Sequence, residues 1–82
     1  MVFTFTTPAK LTMKKENLSS QIDGEKTIFG ISENYEAGSI RVYYNGVRQI
    51  VGVTFSELNT TQIQLNFTPA TGEFLAVEYI PL

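Results

Sequence analysis

Apolar and polar residues alternate along several stretches of this chain, as they do in strands that bury one face. Residues 62–65 read QIQL, and residues 74–80 read FLAVEYI. In the second stretch Leu75, Val77 and Tyr79 share a side, because side chains two residues apart point to the same face of a strand. Both stretches therefore predict half-buried strands of an antiparallel sheet.

A tight turn is predicted at Asn45-Gly46, in the sequence SIRVYYNGVRQ. A two-residue type I′ turn needs positive φ at both central positions, which asparagine and glycine adopt at the least cost. The returning strand is expected to continue from residue 47 until Gly52 interrupts it. Alternation divides the side chains before the turn into two sets: Ile40, Val42 and Tyr44 towards the core, Arg41 and Tyr43 outwards.

Further strands are predicted on the amino-terminal side of this hairpin. VFTFT at 2–6 alternates phenylalanine and threonine until Pro8, and TIFGIS at 27–32 is a second apolar stretch. Residues 10–21 carry leucines spaced by about one or two helical turns, so a short helix or turn is the alternative there. With about seven short strands, the predicted fold class is all-β. We expect a small antiparallel β-sandwich over residues 17–82, preceded by an N-terminal arm or first strand over residues 1–16.

The size and charge of the chain limit the partners it is expected to have. Its 82 residues contain no cysteine and no histidine, so oligomerisation is the expected supplement to a small core. The net charge of −2 gives no attraction to phosphate backbones, so nucleic acid is not an expected partner. No stretch reads as a membrane span or a secretory signal, and neither is expected.

Few of the residues that reactive chemistry needs are present. A serine nucleophile lacks a histidine base, and calcium would find only part of its ligand set in QIDGEK at 21–26. Asp23 and Glu25 are a candidate pair of carboxylates, but they flank Gly24 in a turn-like segment where acids mostly face water. We therefore expect a protein that is not an enzyme and has neither a cofactor nor a metal site.

Five residues are candidates for contact with a partner. Arg41 and Arg48 flank the hairpin tip beside Tyr43, where they could meet an acidic or aromatic partner. Charges that protect a strand edge from strand addition explain the arginines equally well, and both interpretations stay open. Phe3 and Phe5 are expected to dock the arm on a neighbouring subunit, by adding a strand or by filling a groove. A sugar ring could stack on Tyr43.

Three segments together resemble a small β-sandwich module that recurs in virion proteins of tailed bacteriophages. They are LSSQIDGEKTIFGIS, GSIRVYYNGVRQIVGVTFSEL and TTQIQLNFTPATGEFLAVEYI, which lie within residues 17–80. The positions that match the module's pattern are Gly38, Ser39, Val42, Tyr43, Asn45, Gly46, Arg48, Gln49, Gly52, Pro69, Gly72 and Tyr79. Two positions depart from it: Thr54-Phe55 stands where the module often has Asp-Tyr, and Glu73 replaces its usual aspartate.

This resemblance implies a structural component of a phage particle, such as a fibre, neck, tail appendage or capsid decoration. The expected partners are other virion proteins and further copies of the chain, and the expected location is the virion. The alternative function is a module that binds a carbohydrate or receptor, such as a glycan of the host surface, through Tyr43 and the exposed loops.

Overall fold

The computed structural model describes residues 13–82, which form two antiparallel sheets. The strands are β1 (Lys14–Asn17), β2 (Ile28–Gly30), β3 (Arg41–Tyr44), β4 (Val47–Arg48), β5 (Phe55–Asn59), β6 (Gln62–Leu65) and β7 (Leu75–Tyr79). One sheet has the order β1-β7-β3-β4, and the other has the order β2-β6-β5. This architecture confirms the predicted all-β class and is that of a small β-sandwich.

The core is built from the alternating positions that the sequence indicated. Leu75, Val77 and Tyr79 of β7 are fully buried, and so are Ile63 and Leu65 of β6. The other buried hydrophobic residues are Leu18, Ile22, Phe29, Ile31, Tyr35, Ile40, Val42 and Phe55. Each large side chain removed from water contributes about 1.5–3 kcal/mol, so this shared core holds the two sheets together.

The β3–β4 hairpin turns at the predicted pair, with positive φ at Asn45 (51°) and Gly46 (82°). Its tip is anchored to the turn that precedes β7. The Asn45 amide N–H donates to the Phe74 carbonyl at 2.8 Å, and the Phe74 N–H donates to Asn45 Oδ1 at 2.9 Å. The Glu73 carboxylate accepts from the Tyr44 hydroxyl, from Asn45 Nδ2 at 3.2 Å and from the Ala70 N–H at 2.6 Å.

The returning strand is shorter than predicted, because its ladder ends at the Gln49 N–H, which donates to the Val42 carbonyl at 2.7 Å. The Ile50 N–H donates to Thr54 Oγ1 at 3.0 Å, and the Ile50 carbonyl accepts from the Thr54 N–H at 2.9 Å. Val51 then makes only an isolated bridge to Phe55. A threonine hydroxyl that bonds locally has replaced the expected ladder.

The segment with two predicted alternatives, residues 10–21, contains a strand and a single turn of 3₁₀ helix where it is described. Lys14–Asn17 is β1, and the 3₁₀ turn covers Ser19–Gln21. β1 therefore spans the predicted boundary between the arm and the sandwich. Residues 1–12 of the arm, including the predicted strand VFTFT, lie outside the described residues.

One lateral edge of the sandwich consists of β1, β2 and residues 31–33, and we call it the closed edge. The Glu16 carboxylate accepts from the Ser32 N–H at 3.2 Å, from the Ser32 hydroxyl at 2.9 Å and from the Tyr79 hydroxyl at 2.9 Å. The Gln21 side-chain amide bonds both backbone groups of Gly30, at 2.8 and 2.9 Å, as a neighbouring strand would. These contacts join the two sheets and cover the end of β2.

The opposite lateral edge consists of β4, β5 and the connecting residues 49–54, and we call it the open edge. It holds a cluster of exposed aliphatic side chains: Val47 is 63% exposed, Ile50 54%, Val51 57% and Val53 63%. The strands at this edge are the outermost members of their sheets. Burial of apolar surface therefore stabilises the interior of the sandwich, while aliphatic side chains of similar size stay exposed to water at this edge.

Candidate functional site

The structure brings together three of the five predicted partner-binding residues. Arg41 and Tyr43 lie two residues apart on β3, and Arg48 of β4 is the cross-strand neighbour of Tyr43. Directly paired residues of an antiparallel sheet point to the same face. Val42, between the first two residues, is fully buried, so all three candidates lie on the outer face of the four-stranded sheet. Phe3 and Phe5 lie outside the described residues.

A shallow groove crosses this outer face. Tyr43 and Phe74 form its aromatic walls over Ala76, and its volume is about 260 Å³. Tyr43 is half-buried, as its register opposite Ala76 of β7 requires, and Phe74 remains 48% exposed. We call the groove and the surrounding charged residues the basic aromatic face, which comprises Lys15, Arg41, Tyr43, Arg48, Phe74, Ala76 and Glu78.

The charges of the basic aromatic face are opposite in sign to those of the rest of the molecule. The face holds three cations, Lys15, Arg41 and Arg48, and one carboxylate, Glu78, which sum to +2. Because the whole chain has a net charge of −2, the remainder carries −4. Lys15 and Arg41 are both cross-strand neighbours of Glu78, so a positive, negative, positive row crosses three strands. Such a face attracts an anionic partner.

The outer face of the three-stranded sheet has a different composition. Its register places Ser56, Gln62, Gln64 and Ile28 on that side, because Ile63 and Leu65 between them are buried. We call this the amide face, and it has no charged residue among those four. The two sheets therefore share one core and present chemically distinct outer surfaces.

Asp23, one of the two carboxylates considered for acid–base chemistry, and Glu73 both have structural partners in this fold. Asp23 Oδ1 accepts from the N–H groups of Glu25 and Lys26, at 2.9 and 2.8 Å, and these bonds lower the pKa of Asp23. The Tyr44 hydroxyl that donates to Glu73 likewise holds the pKa of that carboxyl below its usual range. A lowered pKa favours the ionised form, so both groups act as hydrogen-bond acceptors that fix turns.

The tyrosines divide as the alternation predicted, with one adjustment. Tyr79 is fully buried in the core. Its pKa is raised mainly by burial and secondly by the hydrogen bond to Glu16. Burial also raises the pKa of Tyr35, whose hydroxyl donates to the Asn59 carbonyl at 3.1 Å. Tyr44 is only half-buried and packs edge-on against Phe67, with 4.8 Å between ring centroids.

Two surface features were missed by the sequence analysis. Phe74 was not among the predicted partner-binding residues, although its spacing from Ala76 indicates the outward side of the predicted strand. The exposed aliphatic residues of the open edge were assigned to an ordinary returning strand. The signal for them was the run VRQIVGV at 47–53, in which apolar residues do not alternate regularly.

No protein-family model, no curated protein and no solved structure matches this chain. The resemblance to the phage module therefore depends on the motif residues alone. Within residues 13–82, no helix is long and apolar enough to cross a membrane. No group of three or more acidic residues within this part of the chain is arranged to hold a metal ion.

Proposed function

We propose that this chain is a non-enzymatic structural protein of a bacteriophage particle, which acts by binding other virion proteins and further copies of itself. The phage assignment is supported by the motif residues within residues 17–80, and the proposed location is therefore the virion. The assembly role is supported by the surfaces of the sandwich, which offer apolar and aromatic groups to a partner.

The observation that carries this proposal is the basic aromatic face. Aromatic residues and arginine are enriched at the centres of protein interfaces, where they bury large areas and bind carboxylates. Tyr43 and Phe74 provide the apolar centre here, and Arg41 and Arg48 surround it with fixed positive charge. The amide face offers neither feature, so it is the matched control surface within the same molecule.

The test is the distribution of the protein between particles and soluble lysate. Particles made by the genome that encodes the chain are purified on a density gradient, and peptides of the chain are quantified against the major capsid protein. We expect a constant ratio across the particle peak for the native chain and for Gln64→Ala. Tyr43→Ala combined with Phe74→Ala is expected to shift the protein to the soluble fraction. A native chain found only in the soluble fraction would refute the proposal.

A second candidate function, carbohydrate binding, is supported by the same groove. Tyrosine and phenylalanine rings can stack on the apolar face of a sugar, and nearby Lys15 and Glu78 could bond its hydroxyls. Binding on a glycan array that is lost in Tyr43→Ala and kept in Gln64→Ala would favour this function over assembly. An array without signal from the native chain would leave the groove to a protein partner.

A further inference from the structure

The open edge differs from every other part of the described surface in the density of its exposed aliphatic residues. Eight large hydrophobic residues among residues 13–82 are exposed, and five of them lie on this edge: Val47, Ile50, Val51, Val53 and Leu58. Two grooves flank the turn at residues 50–54, with volumes of about 110 and 270 Å³. Phe55 lines both grooves, so a side chain seated in either one would reach the core.

Part of the backbone of this edge is also available for pairing, although Gln49 Nε2 already donates to the Val47 carbonyl at 2.9 Å and the Gly52 N–H to the Phe55 carbonyl at 2.7 Å. β4 and β5 are the outermost strands of their sheets, and the outer side of such a strand presents N–H and C=O groups to any extended segment. Natural sheets usually protect such edges with charges, prolines or covering loops. The charged residues of these two strands are Arg48 and Glu57, and the Glu57 carboxylate accepts from the Gly38 N–H at 3.0 Å. The exposed hydrophobic side chains named above are all aliphatic. An edge of this kind suits an apolar partner strand.

We propose that the open edge of one copy binds residues 2–6, VFTFT, of a second copy. This inference rests on the proposed function, because it names the partner surface through which copies assemble. VFTFT has the β-branched and aromatic composition of a strand, carries no charge, and ends two residues before Pro8, which would stop further pairing. Phe3 and Phe5 lie on one face of such a strand, with the spacing to enter neighbouring grooves.

The position of β1 favours a second copy over the same chain as the donor. β1 begins at Lys14 on the closed edge, and a strand added beside β4 would lie four strand spacings away, roughly 19 Å. Residues 7–13 span at most about 23 Å when fully extended. This length leaves almost no slack to pass around the sheet and return antiparallel or parallel to β4. The edge of a neighbouring copy imposes no such limit.

Disulfide cross-linking tests this arrangement directly, because the native chain has no cysteine. The single variants Phe5→Cys and Val51→Cys are mixed under oxidising conditions, and mixed dimers are identified by mass. Leu82→Cys provides the matched control, since Leu82 is 69% exposed but lies outside the open edge. We expect a mixed disulfide when Phe5→Cys is combined with Val51→Cys. We expect none when Phe5→Cys is combined with Leu82→Cys. Circular dichroism of each variant checks that the fold is retained.

Two further measurements decide between the possible outcomes. The double variant with Phe5→Cys and Val51→Cys in one chain should form dimers or larger species, and a disulfide within a monomer would overturn the second-copy assignment. Light scattering of the native chain should show mass above 9.2 kDa that rises with concentration and falls in Phe3→Ser combined with Phe5→Ser. A concentration-independent monomer would overturn the inference. Cross-linked copies that never join particles would uphold this inference and refute the proposed function.

Discussion

The closed edge and the open edge are equivalent positions in the topology, yet they have opposite chemistry. Each lies where a four-stranded and a three-stranded sheet end side by side. At the closed edge, Glu16 joins β1 to Ser32, and Gln21 bonds the outer backbone groups of Gly30. At the open edge, Val51 and Val53 face water, and Gln49 Nε2 bonds only the Val47 carbonyl of the same segment, so this bond does not join the two sheets. We therefore expect the closed edge to contribute mainly to stability and the open edge mainly to the binding proposed above.

This comparison teaches that a small sandwich need not protect both edges in the same way. Side chains that replace a missing strand, as Gln21 does, satisfy the backbone permanently and prevent further pairing. An edge without such groups keeps its capacity to pair, at the risk of nonspecific association. Substitutions at the two edges should therefore change different measured quantities.

Glu16→Ala should have the largest effect on stability. It removes the acceptor of the buried Tyr79 hydroxyl and of both Ser32 donors, and unsatisfied buried groups cost about 1–3 kcal/mol. Urea unfolding followed by tyrosine fluorescence would measure the loss. Val53→Ala is the open-edge control, and its free energy of unfolding should stay within about 0.5 kcal/mol of the native value. Equal losses in the two variants would contradict the division between the edges.

Gln21→Ala should destabilise the protein less, by about 1–2 kcal/mol for two backbone hydrogen bonds. It also exposes the N–H and C=O of Gly30, so the closed edge gains the capacity to pair. We expect the variant to self-associate under conditions in which Gln21→Glu does not, because an added carboxylate disfavours strand addition. Sedimentation velocity compares the two variants. Identical sedimentation would show that Gln21 does not protect this edge.

Acid should destabilise the hairpin that borders the open edge, through Glu73. A carboxyl whose pKa is lowered on folding contributes stability above its unfolded pKa, about 4.3, and this contribution is lost as pH falls through the folded value. Thermal unfolding between pH 6 and about pH 2.5 should therefore show a falling midpoint, with a shallower fall in Glu73→Gln. Asp23, whose pKa is also lowered, should account for part of the pH dependence that remains in Glu73→Gln. An unchanged slope in Glu73→Gln would contradict this role.

Lys14→Gln should have the smallest effect. The Lys14–Glu33 ion pair lies at the closed edge, but its side chains are 48% and 41% exposed. Exposed pairs contribute about 0–1 kcal/mol and are screened by salt. The variant should lose at most about 0.5 kcal/mol in low salt and nothing measurable in 1 M salt. A loss as large as that of Glu16→Ala would mean that charge, not hydrogen bonding, holds the closed edge together.

The sequence predicted the parts of the fold that depend on local rules. The Asn45-Gly46 turn and the burial of Ile63, Leu65, Val77 and Tyr79 follow from φ preferences and from alternation. The early end of β4 could not be predicted, because it depends on a bond between Thr54 and Ile50 across a turn of unknown shape. β1 was ambiguous because KKEN has no strand alternation, and only its pairing with β7 makes it a strand.

The candidate site was predictable only along one strand pair. Arg41, Tyr43 and Arg48 follow from the hairpin register, since residues beside a two-residue turn are paired directly. Lys15, Phe74 and Glu78 join them from strands that are distant in the sequence, and no local pattern gives that order of strands. The open edge was missed for a similar reason: a strand can be recognised as an edge strand only when the order of all strands in the sheet is known.

The place of β7 in the four-stranded sheet has a consequence for how the protein folds. β7 lies between β1 and β3, so β1 hydrogen-bonds only to residues 75–79, and β3 pairs with them on the side opposite its hairpin partner β4. During synthesis, β1 thus has no partner until nearly the whole of this chain has left the ribosome. Pairing over such separations is slow, because the entropy of closing the long intervening loop is lost before the stabilising contacts form. An interval during synthesis, in which β1 waits unpaired for residues 75–79 and is accessible to chaperones, follows from this one central position.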